Sequence, residues 1–362
     1  MRVTALEAIP YALPFKEPYV TAKGTLDRRE MVLVRLQTDD GPTGLGEAVP
    51  LSLRGGASLE SVVTELERLG DRIANELEQS LDPARLQGMT TTLSPPAAAA
   101  VEIALLDLWG QESDRRAGER LILGGFDDRP ILCNATLVAA EPDDVAEDAR
   151  AWAAEGFSTF KLKVGAGDDV ARVRAVRAVI GPEAKIRLDA NGVWDLATAK
   201  RVLSEVEELE IELVEQPVAT LEEMTELAET TPIPIAADES VVTVADAVQA
   251  AQTRACEWVG VKLARVGGPR NAMNIGSELR PYVSSALDGP VGIAAAAHVV
   301  QALRAAPHPR GIGIAHGLAT QRLFAETIAS IECELRGDQL HLPAGPGLGV
   351  EIDERALERH RL

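Results

Sequence analysis

The chain has 362 residues, 46% of them apolar, and carries a formal net charge of −20 at pH 7. This charge argues against nucleic acid as a partner, since phosphate backbones are bound by Lys and Arg, and against adhesion to an anionic membrane. An anionic small molecule stays open as a partner, provided that its site is locally positive.

The length predicts about two domains, and one large barrel with a smaller domain fits equally well. The cysteines, Cys133, Cys256 and Cys333, lie far apart and form no C-x-x-C pair, which is typical of reduced thiols. The N-terminus has no signal-peptide block, and no apolar run approaches the ~20 residues of a spanning helix. We therefore expect a cytoplasmic protein.

The first 90 residues predict a mixture of strands and helices. "MVLVRLQTDDGPTGLGEAV" has the pattern of a hairpin, with an apolar run, a turn at 39–42 and a return strand. From Leu59 to Leu81 the apolar spacing is helical. A second helix is predicted for "SPPAAAAVEIALLDLWGQ", with Ser94 as its cap and Pro95 in its first turn.

After residue 127 short apolar segments alternate with helical stretches such as 141–154 and 195–208. Eight βα units in about 200 residues predict a parallel (β/α)8 barrel. A doubly wound open sheet is the alternative, although no strand is followed by the G-x-G-x-x-G turn that would favour it. The candidate strands are 130–138, 159–164, 185–191, 211–217, 233–240, 258–266, 282–288 and 311–316.

Polar side chains lie near the C-terminal ends of the middle strands, where this fold usually carries catalytic groups. A lone strand-end Asp is usually a helix cap, and a lone strand Lys usually reaches solvent. Here the steps from Lys163 are 26, 26, 23 and 24 residues, which predicts one level around the barrel mouth. The residues are Lys161, Lys163, Asp189, Asn191, Glu215, Asp238, Glu239 and Lys262.

Three carboxylates from adjacent strands would repel one another without a cation between them. Asp189, Glu215 and Asp238 offer only oxygen ligands, which predicts a hard ion, most simply Mg²⁺, with Mn²⁺ as an alternative. No histidine has the companion ligands of a zinc site. Asn191 shares a face with Asp189, and Asn191 and Glu239 are candidates for orienting the ligands from behind.

The two lysines of "FKLKVG" alternate with apolar residues, so both ammonium groups project from one face of the strand. Lys163 comes one strand before Asp189, and Lys262 comes one strand after Asp238. The two lysines are therefore expected to face each other across a closed barrel. A lysine acting as a base must be neutral, and Lys161 beside Lys163 would favour that form. Such a set suits proton abstraction next to a carboxylate, with the metal stabilising the enediolate.

Five pieces of the sequence, "KLK", "LDANG", "VEQP", "ADES" and "GVKLARVGG", resemble the enolase superfamily in its muconate-lactonizing-enzyme-like subgroup. The resemblance covers essentially the whole chain. It implies an α/β fold, a modified TIM barrel of the (β/α)7β type, with an α+β N-terminal capping domain. The implied divisions are a capping domain at 1–126, the barrel at 127–330, and a segment returning to the cap at 331–362. The implied Mg²⁺ ligands are Asp189, Glu215 and Asp238, and the implied acid/base pair is Lys163 and Lys262.

Within that subgroup, "VSSALDGPVGIAAAAHVVQAL" and "PFKEPYVTAKGTLDRREMVLVRL" are similar to o-succinylbenzoate synthases. This similarity implies a syn dehydration of 2-succinyl-6-hydroxy-2,4-cyclohexadiene-1-carboxylate in menaquinone synthesis. Lys163 would take the α-proton and then help hydroxide to leave, while the charge of Lys262 would stabilise the enediolate. The implied substrate contacts are Ser284, Ser285 and the amides near Gly289, with Thr21 and Lys23 on a cap loop that closes over the mouth.

Two alternatives stay open. An N-acylamino acid racemase, a dipeptide epimerase or a cycloisomerase would use the same lysine pair, and the cap loops 19–25 and 51–56 with the eighth strand would decide among them. Dipeptide epimerases often show Asp-x-Asp on that strand, where this chain reads "GIAHGLAT". A non-catalytic binding barrel would be expected to lose Lys163 or a metal ligand, and neither is missing. The expected partner is a small carboxylate, and a homo-oligomer is left open.

Overall fold

The computed structural model describes residues 2–21, 24–39, 41–52, 55–75, 83–122, 127–306 and 313–362. The strands are β1 Val3–Thr21, β2 Gly24–Thr38, β3 Thr43–Ala48, β4 Ile131–Leu132, β5 Ala135–Leu137, β6 Thr159–Lys163, β7 Lys185–Asp189, β8 Ile211–Glu215, β9 Ile235–Ala237, β10 Trp258–Val261, β11 Arg280–Val283, β12 Ala329–Ile331, β13 Glu334–Arg336, β14 Gln339–His341 and β15 Glu351–Ile352. The helices are α1 Leu59–Asn75, α2 Pro83–Met89, α3 Pro95–Ser113, α4 Pro142–Ala154, α5 Asp169–Ile180, α6 Leu196–Val206, α7 Leu221–Ala228, α8 Val244–Thr253, α9 Leu263–Val266, α10 Pro269–Glu278, α11 Pro290–Ala305 and α12 Glu354–His360.

The N-terminal part is an antiparallel sheet in the order β1-β2-β3, and it contains the predicted hairpin. Both faces of β2 are buried, which explains its unbroken apolar run. Val32 and Val34 pack in a core with α1 and α3, whereas Met31 and Leu33 belong to the core that fills the rest of the molecule. β2 therefore joins the cap's own core to the barrel.

Two expectations for this part need correction. The sequence gave no signal for the long strand β1, because Pro10, Pro14 and Pro18 are unfavourable inside sheets. They are tolerated because β1 is an edge strand of its sheet. Ser94 does precede α3, but its hydroxyl makes no capping hydrogen bond. Helix α1 ends at Asn75, and the rest of the predicted 59–81 helix lies outside the described residues.

The second part is a curled sheet of seven parallel strands, β5 to β11, in sequential order. An eighth segment completes the circle: Gly317 bridges Ser284 after β11, and His316 bridges Cys133 before β5. Helices α4 to α11 connect the strands. The order never reverses, so the doubly wound alternative is wrong. The predicted (β/α)7β barrel with an α+β N-terminal domain is confirmed.

Several barrel strands are shorter than the sequence predicts. The seventh ends at Val283, because Ser285 and Asp288 fold back on each other through two hydrogen bonds of 2.7 and 2.8 Å. The sixth ends at Val261, and α9 begins directly after Lys262. Residues 311–312 of the predicted eighth strand lie outside the described residues.

The C-terminal residues contact both parts of the molecule. β14 pairs with β4 at the entrance to the barrel, while Arg361 bridges Tyr11 of β1. Phe324 stacks on Phe15 of the same strand, with ring centroids 5.1 Å apart. The divisions at 126 and 330 stay a prediction. No helix of the described residues is long and apolar enough to cross a bilayer.

Candidate functional site

The polar residues predicted at the strand ends meet at one end of the barrel. In the parallel ladder Lys163 is opposite Asp189, and Asp189 is opposite Glu215. Asp238 and Lys262 each follow the last residue of their strands, β9 and β10. The three carboxylates are at most 1% exposed. The near-constant sequence steps thus correspond to one layer of side chains.

Ammonium groups connect these carboxylates. The Nζ atom of Lys161 lies 2.8 Å from Asp189 Oδ2 and 2.5 Å from Glu215 Oε2. Lys163 Nζ donates to the same Asp189 oxygen at 2.5 Å. On the other side, Lys262 Nζ lies 2.6 Å from Asp238 Oδ2 and 4.0 Å from Glu215 Oε1. Glu215 therefore lies between two lysine–aspartate groups.

Burial and charge shift the pKa values of these groups in different directions. Burial alone would raise the pKa of Asp189, but Lys161 and Lys163 hold it well below its usual range. The pKa of Asp238 is lowered in the same way by Lys262 and Arg265. Burial would lower the pKa of Lys161, yet Asp189 and Glu215 together raise it. Lys161 is therefore a permanently charged member of the cluster.

Lys262 differs from Lys161. Burial lowers its pKa and outweighs the attraction of Asp238 and Glu215, since Arg265 and Lys161 add repulsion. A buried lysine with a lowered pKa is closer to giving up its proton at neutral pH. Lys163 is the lysine of the three that reaches the mouth, with 29% of its side chain exposed.

Asn191 and Glu239 lie behind the carboxylates, as expected for residues that orient them. The Asn191 amide nitrogen donates to Asp189 Oδ1 at 3.0 Å, and its side-chain oxygen accepts from Lys163 Nζ at 2.8 Å. Its Nδ2 atom donates to Glu239 Oε1 at 3.0 Å. Asn191 adopts φ of 47°, a left-handed conformation that asparagine tolerates better than most residues.

Three residues of the cluster were missed by sequence reasoning. Arg265 Nη1 donates to Asp238 Oδ1 at 2.8 Å, and it follows Lys262 by one helical turn. Tyr282 Oη donates to Glu215 Oε2 at 2.5 Å. Gln216 Oε1 accepts from the Asp238 amide at 3.0 Å and so fixes the end of β9. Tyr282 gave a usable signal, because it precedes Ser284 by two residues and so shares its face of the strand.

The predicted substrate contacts are less open than expected. The Gly289 amide donates to Glu47 Oε1 at 2.6 Å, so it is already bonded to the N-terminal domain. The Ser285 hydroxyl is bonded to Asp288, and Ser284 is buried beside Gly317. Lys23 and the side chain of Thr21 lie outside the described residues. A role for Ser284, Ser285 and Thr21 stays a prediction, whereas the Gly289 amide is not free for a ligand in this arrangement.

The carboxylates can be tested as metal ligands from their chemistry. Among the described residues, no three His, Cys, Asp or Glu side chains converge as a preformed ligand group, and lysine ammonium groups lie between the carboxylates instead. The donors are all oxygen, and Glu215 Oε1 is buried without a hydrogen-bond partner. Oxygen donors of this kind fit Mg²⁺, provided that the ammonium groups move aside.

Comparison with known proteins places this geometry in a family. Residues 5–116 match the model "Mandelate racemase / muconate lactonizing enzyme, N-terminal domain", and residues 144–356 match the model "Enolase C-terminal domain-like". The L-Ala-D/L-Glu epimerase of Bacillus subtilis is 32% identical and is aligned over 97% of both chains. The o-succinylbenzoate synthase of Thermobifida fusca is 40% identical over 201 residues, which are 54% of this chain and 61% of that protein.

Solved structures agree with the sequence comparison. The dipeptide epimerase of Enterococcus faecalis, complexed with Mg and the dipeptide L-Leu-L-Tyr, has a TM-score of 0.88 and 28% identity to this chain. The match covers 97% of this chain and all of that one. The resemblance found in the sequence motifs is thus confirmed over both parts of the molecule. This chain belongs to the enolase superfamily, in its muconate-lactonizing-enzyme-like branch, and is an enzyme of that superfamily.

Proposed function

We propose that this enzyme removes the proton next to a substrate carboxylate in the presence of Mg²⁺, and that its reaction is the dehydration carried out by o-succinylbenzoate synthases. The observation that carries the proposal is the pair of lysine–carboxylate groups on opposite sides of Glu215. Lys163 with Asp189 forms one group, and Lys262 with Asp238 forms the other. A substrate between them would meet a lysine on either face.

Asp189, Glu215 and Asp238 would hold the Mg²⁺ ion. When bound, the ion would supply positive charge to the substrate carboxylate and to the negative charge that develops beside it. Lys161 keeps its own charge and anchors two of the three carboxylates. Its contacts fix the layer on which the other two lysines act.

Lys163 is proposed as the base because its ammonium group lies at the mouth and is oriented by Asp189 and Asn191. In its neutral form Nζ accepts the α-proton and becomes an ammonium group. The same proton then passes to the departing hydroxyl group, which leaves as water. One lysine on one face thus accounts for a syn elimination with no net change in its protonation. Lys262 faces the developing charge from the other side.

The eighth strand position supports the synthase over an epimerase. A dipeptide carries an ammonium group, which requires an acidic partner, and 313–318 carries no acidic residue. His316 in this segment is buried, and burial holds its pKa well below the usual value, so it is neutral. The cations of the mouth suit a substrate with two carboxylates. The match to the Thermobifida fusca synthase adds support.

Dipeptide epimerisation is the second candidate. The observation in its favour is the extent of similarity, because the Bacillus subtilis epimerase aligns over 97% of this chain and the synthase over 54%. The same lysines would then act on opposite faces of one α-carbon. An N-acylamino acid racemase or a cycloisomerase would also use them.

The test compares substrates on one preparation. The protein is incubated with 2-succinyl-6-hydroxy-2,4-cyclohexadiene-1-carboxylate, and loss of the diene is followed by ultraviolet absorbance with Mg²⁺ and then with chelator. Parallel samples contain L-Ala-L-Glu or N-succinyl amino acids in D2O, where exchange of the α-proton is followed by NMR. Fast, chelator-sensitive loss of the diene supports the synthase. Turnover of dipeptides alone would overturn the synthase and support the epimerase.

A further inference from the structure

One residue of the carboxylate cluster comes from inside the barrel and not from the strand-end layer. Tyr282 of β11 is 1% exposed, and its phenol donates to Glu215 Oε2 at 2.5 Å. Lys161 Nζ donates to the same oxygen at 2.5 Å. The other carboxylate oxygen, Oε1, is buried and has no hydrogen-bond partner. Two donors on Oε2 thus leave Oε1 open toward the other side of the cluster.

The barrel provides a specific space for this phenol. Gly260 of β10 is opposite Tyr282 in the parallel ladder. A Cβ atom at Gly260 would lie 2.9 Å from Tyr282 Oη and 3.1 Å from its Cζ, closer than ordinary van der Waals contact. The glycine therefore matches the position of the tyrosine ring, because any larger residue would push the phenol away from Glu215.

The ring is also supported by a buried arginine. The guanidinium carbon of Arg187 lies 5.4 Å from the Tyr282 ring centroid. Arg187 is fully buried and is fixed by Glu212 Oε2 at 2.5 Å and by the Ala315 carbonyl oxygen at 2.7 Å. The cation–π contact and these bonds restrict the ring's movement within the barrel.

We propose that Tyr282 is a positioning residue that holds Glu215 ready to bind the metal ion, an inference that rests on the proposed role of Glu215 as a ligand. Without the phenol, the carboxylate can turn toward Lys262, whose Nζ lies 4.0 Å from Oε1. Glu215 would then spend its open oxygen on a second ion pair. The phenol prevents this closure and keeps one oxygen available.

The test measures Mg²⁺ binding by isothermal titration calorimetry on the full chain. Partners behind metal ligands typically contribute ten- to a hundredfold to affinity, so Tyr282→Phe is expected to weaken Mg²⁺ binding by about tenfold or more. The matched control is Tyr11→Phe, which removes another fully buried phenol–carboxylate bond, 2.9 Å long, to Glu47. That variant is expected to bind Mg²⁺ as the unchanged protein does. Thermal unfolding in chelator checks that both variants fold.

Gly260→Ala provides a second variant that displaces the phenol without deleting it. It is expected to weaken Mg²⁺ binding in the same direction, and the double variant is expected to lose little beyond Tyr282→Phe alone. Activity of Tyr282→Phe should recover at high Mg²⁺, as an affinity defect requires. Equal Mg²⁺ affinity in Tyr282→Phe and the unchanged protein would overturn the inference alone. Failure of the unchanged protein to bind Mg²⁺ would overturn the proposed function together with the inference.

Discussion

The opposite charges at the barrel mouth explain how three lysines tolerate burial beside one another. Lys161, Lys163 and Lys262, with Arg265, are in contact with the three carboxylates of Asp189, Glu215 and Asp238. Four cations against three anions leave one excess positive charge. A bound divalent cation would raise that excess to three, so ion binding favours loss of a proton from a lysine. A neutral lysine is the form that a base requires.

Asp189→Asn tests this balance without metal. The change leaves two buried ammonium groups without the carboxylate oxygen that they share, Oδ2. Removing one partner of a buried ion pair costs about 3 kcal/mol, and we expect a loss of that order in urea unfolding with chelator present. Asp195→Asn is the control, since Asp195 is the N-cap of α6 and asparagine caps equally well. An equal stability for both variants would contradict the account.

At this scale the sequence predicts positions better than contacts. The period of two on β6 and the near-constant steps predict which residues share the mouth, because both follow from regular backbone geometry. The partners of each ammonium group depend on side-chain rotamers, which no spacing encodes. Arg265 lies in a helical turn and Tyr282 inside the barrel, so neither belongs to the strand-end pattern that drew attention to the others.

Among the elements, the contact of β3 with α3 depends on two glycines. A Cβ atom at Gly46 would lie 1.9 Å from the Ala100 carbonyl oxygen, and one at Gly44 would lie 2.3 Å from that of Ala104. The strand therefore lies directly on the helix backbone. This close approach fixes the height of the N-terminal sheet over α3.

Gly46→Ala is expected to destabilise the protein by about 1–3 kcal/mol, because backbone atoms must separate to admit the methyl group. The control is Gly88→Ala in α2, where no atom lies within 4 Å of the added carbon. Alanine is the better helix former there, so stability should stay the same or rise by up to about 1 kcal/mol. Thermal unfolding of both variants measures the difference. A neutral Gly46→Ala would refute the close contact.

Element types follow from the sequence more closely than element ends. The alternation of apolar segments and amphipathic helices predicts the parallel barrel, because each βα unit repeats the same pattern. The seventh strand ends early since Ser285 and Asp288 bond to each other, and such side-chain turns compete with strand pairing. The long strand β1 was missed since prolines hide strands in which only one edge is paired.

For the whole molecule, a buried acid joins the N-terminal sheet to the barrel. Glu47 of β3 accepts hydrogen bonds from Tyr11 Oη at 2.9 Å and from the Gly289 amide at 2.6 Å. Gly289 immediately precedes α11, whose N-terminus attracts negative charge. Burial, together with the charge of Asp288, raises the pKa of Glu47 to about 7.

This shift predicts how stability depends on pH. The folded pKa of Glu47 is above the ordinary value of 4.5, so its protonated form is favoured by folding. The stabilisation is complete below about pH 4.5 and is lost as the pH rises through about 7. Between pH 5.5 and 8.5 the loss amounts to about 2 kcal/mol.

Glu47→Gln separates this effect from other titrations. Burial also raises the pKa of Glu102 to about 7, whereas burial lowers the pKa of His298 to about 3 and acts in the opposite sense. The stability difference between the unchanged protein and Glu47→Gln should therefore shrink by about 2 kcal/mol in favour of the variant as the pH rises from 5.5 to 8.5. Urea unfolding across this range measures it. A difference independent of pH would contradict the assignment.

The way the two parts meet could not be predicted from the sequence. The barrel is encoded locally, because each unit carries its own strand and helix pattern. The contact of Glu47 with Gly289 joins residues far apart in the chain, and no local pattern links a strand acid to a distant helix start. The eighth strand is likewise held by isolated bridges and not by a regular ladder.

The central claim is that the lysine pair moves the α-proton. The most direct measurement is the turnover rate of Lys163→Ala and Lys262→Ala on the preferred carboxylate substrate, at saturating Mg²⁺. Lys200→Ala is the control, because Lys200 lies on α6 and pairs with Glu226. General acid–base catalysis contributes about 10²–10⁴-fold, so each site variant should lose at least about a hundredfold while Lys200→Ala keeps full activity. A Lys163→Ala enzyme with an unchanged turnover rate would contradict the account.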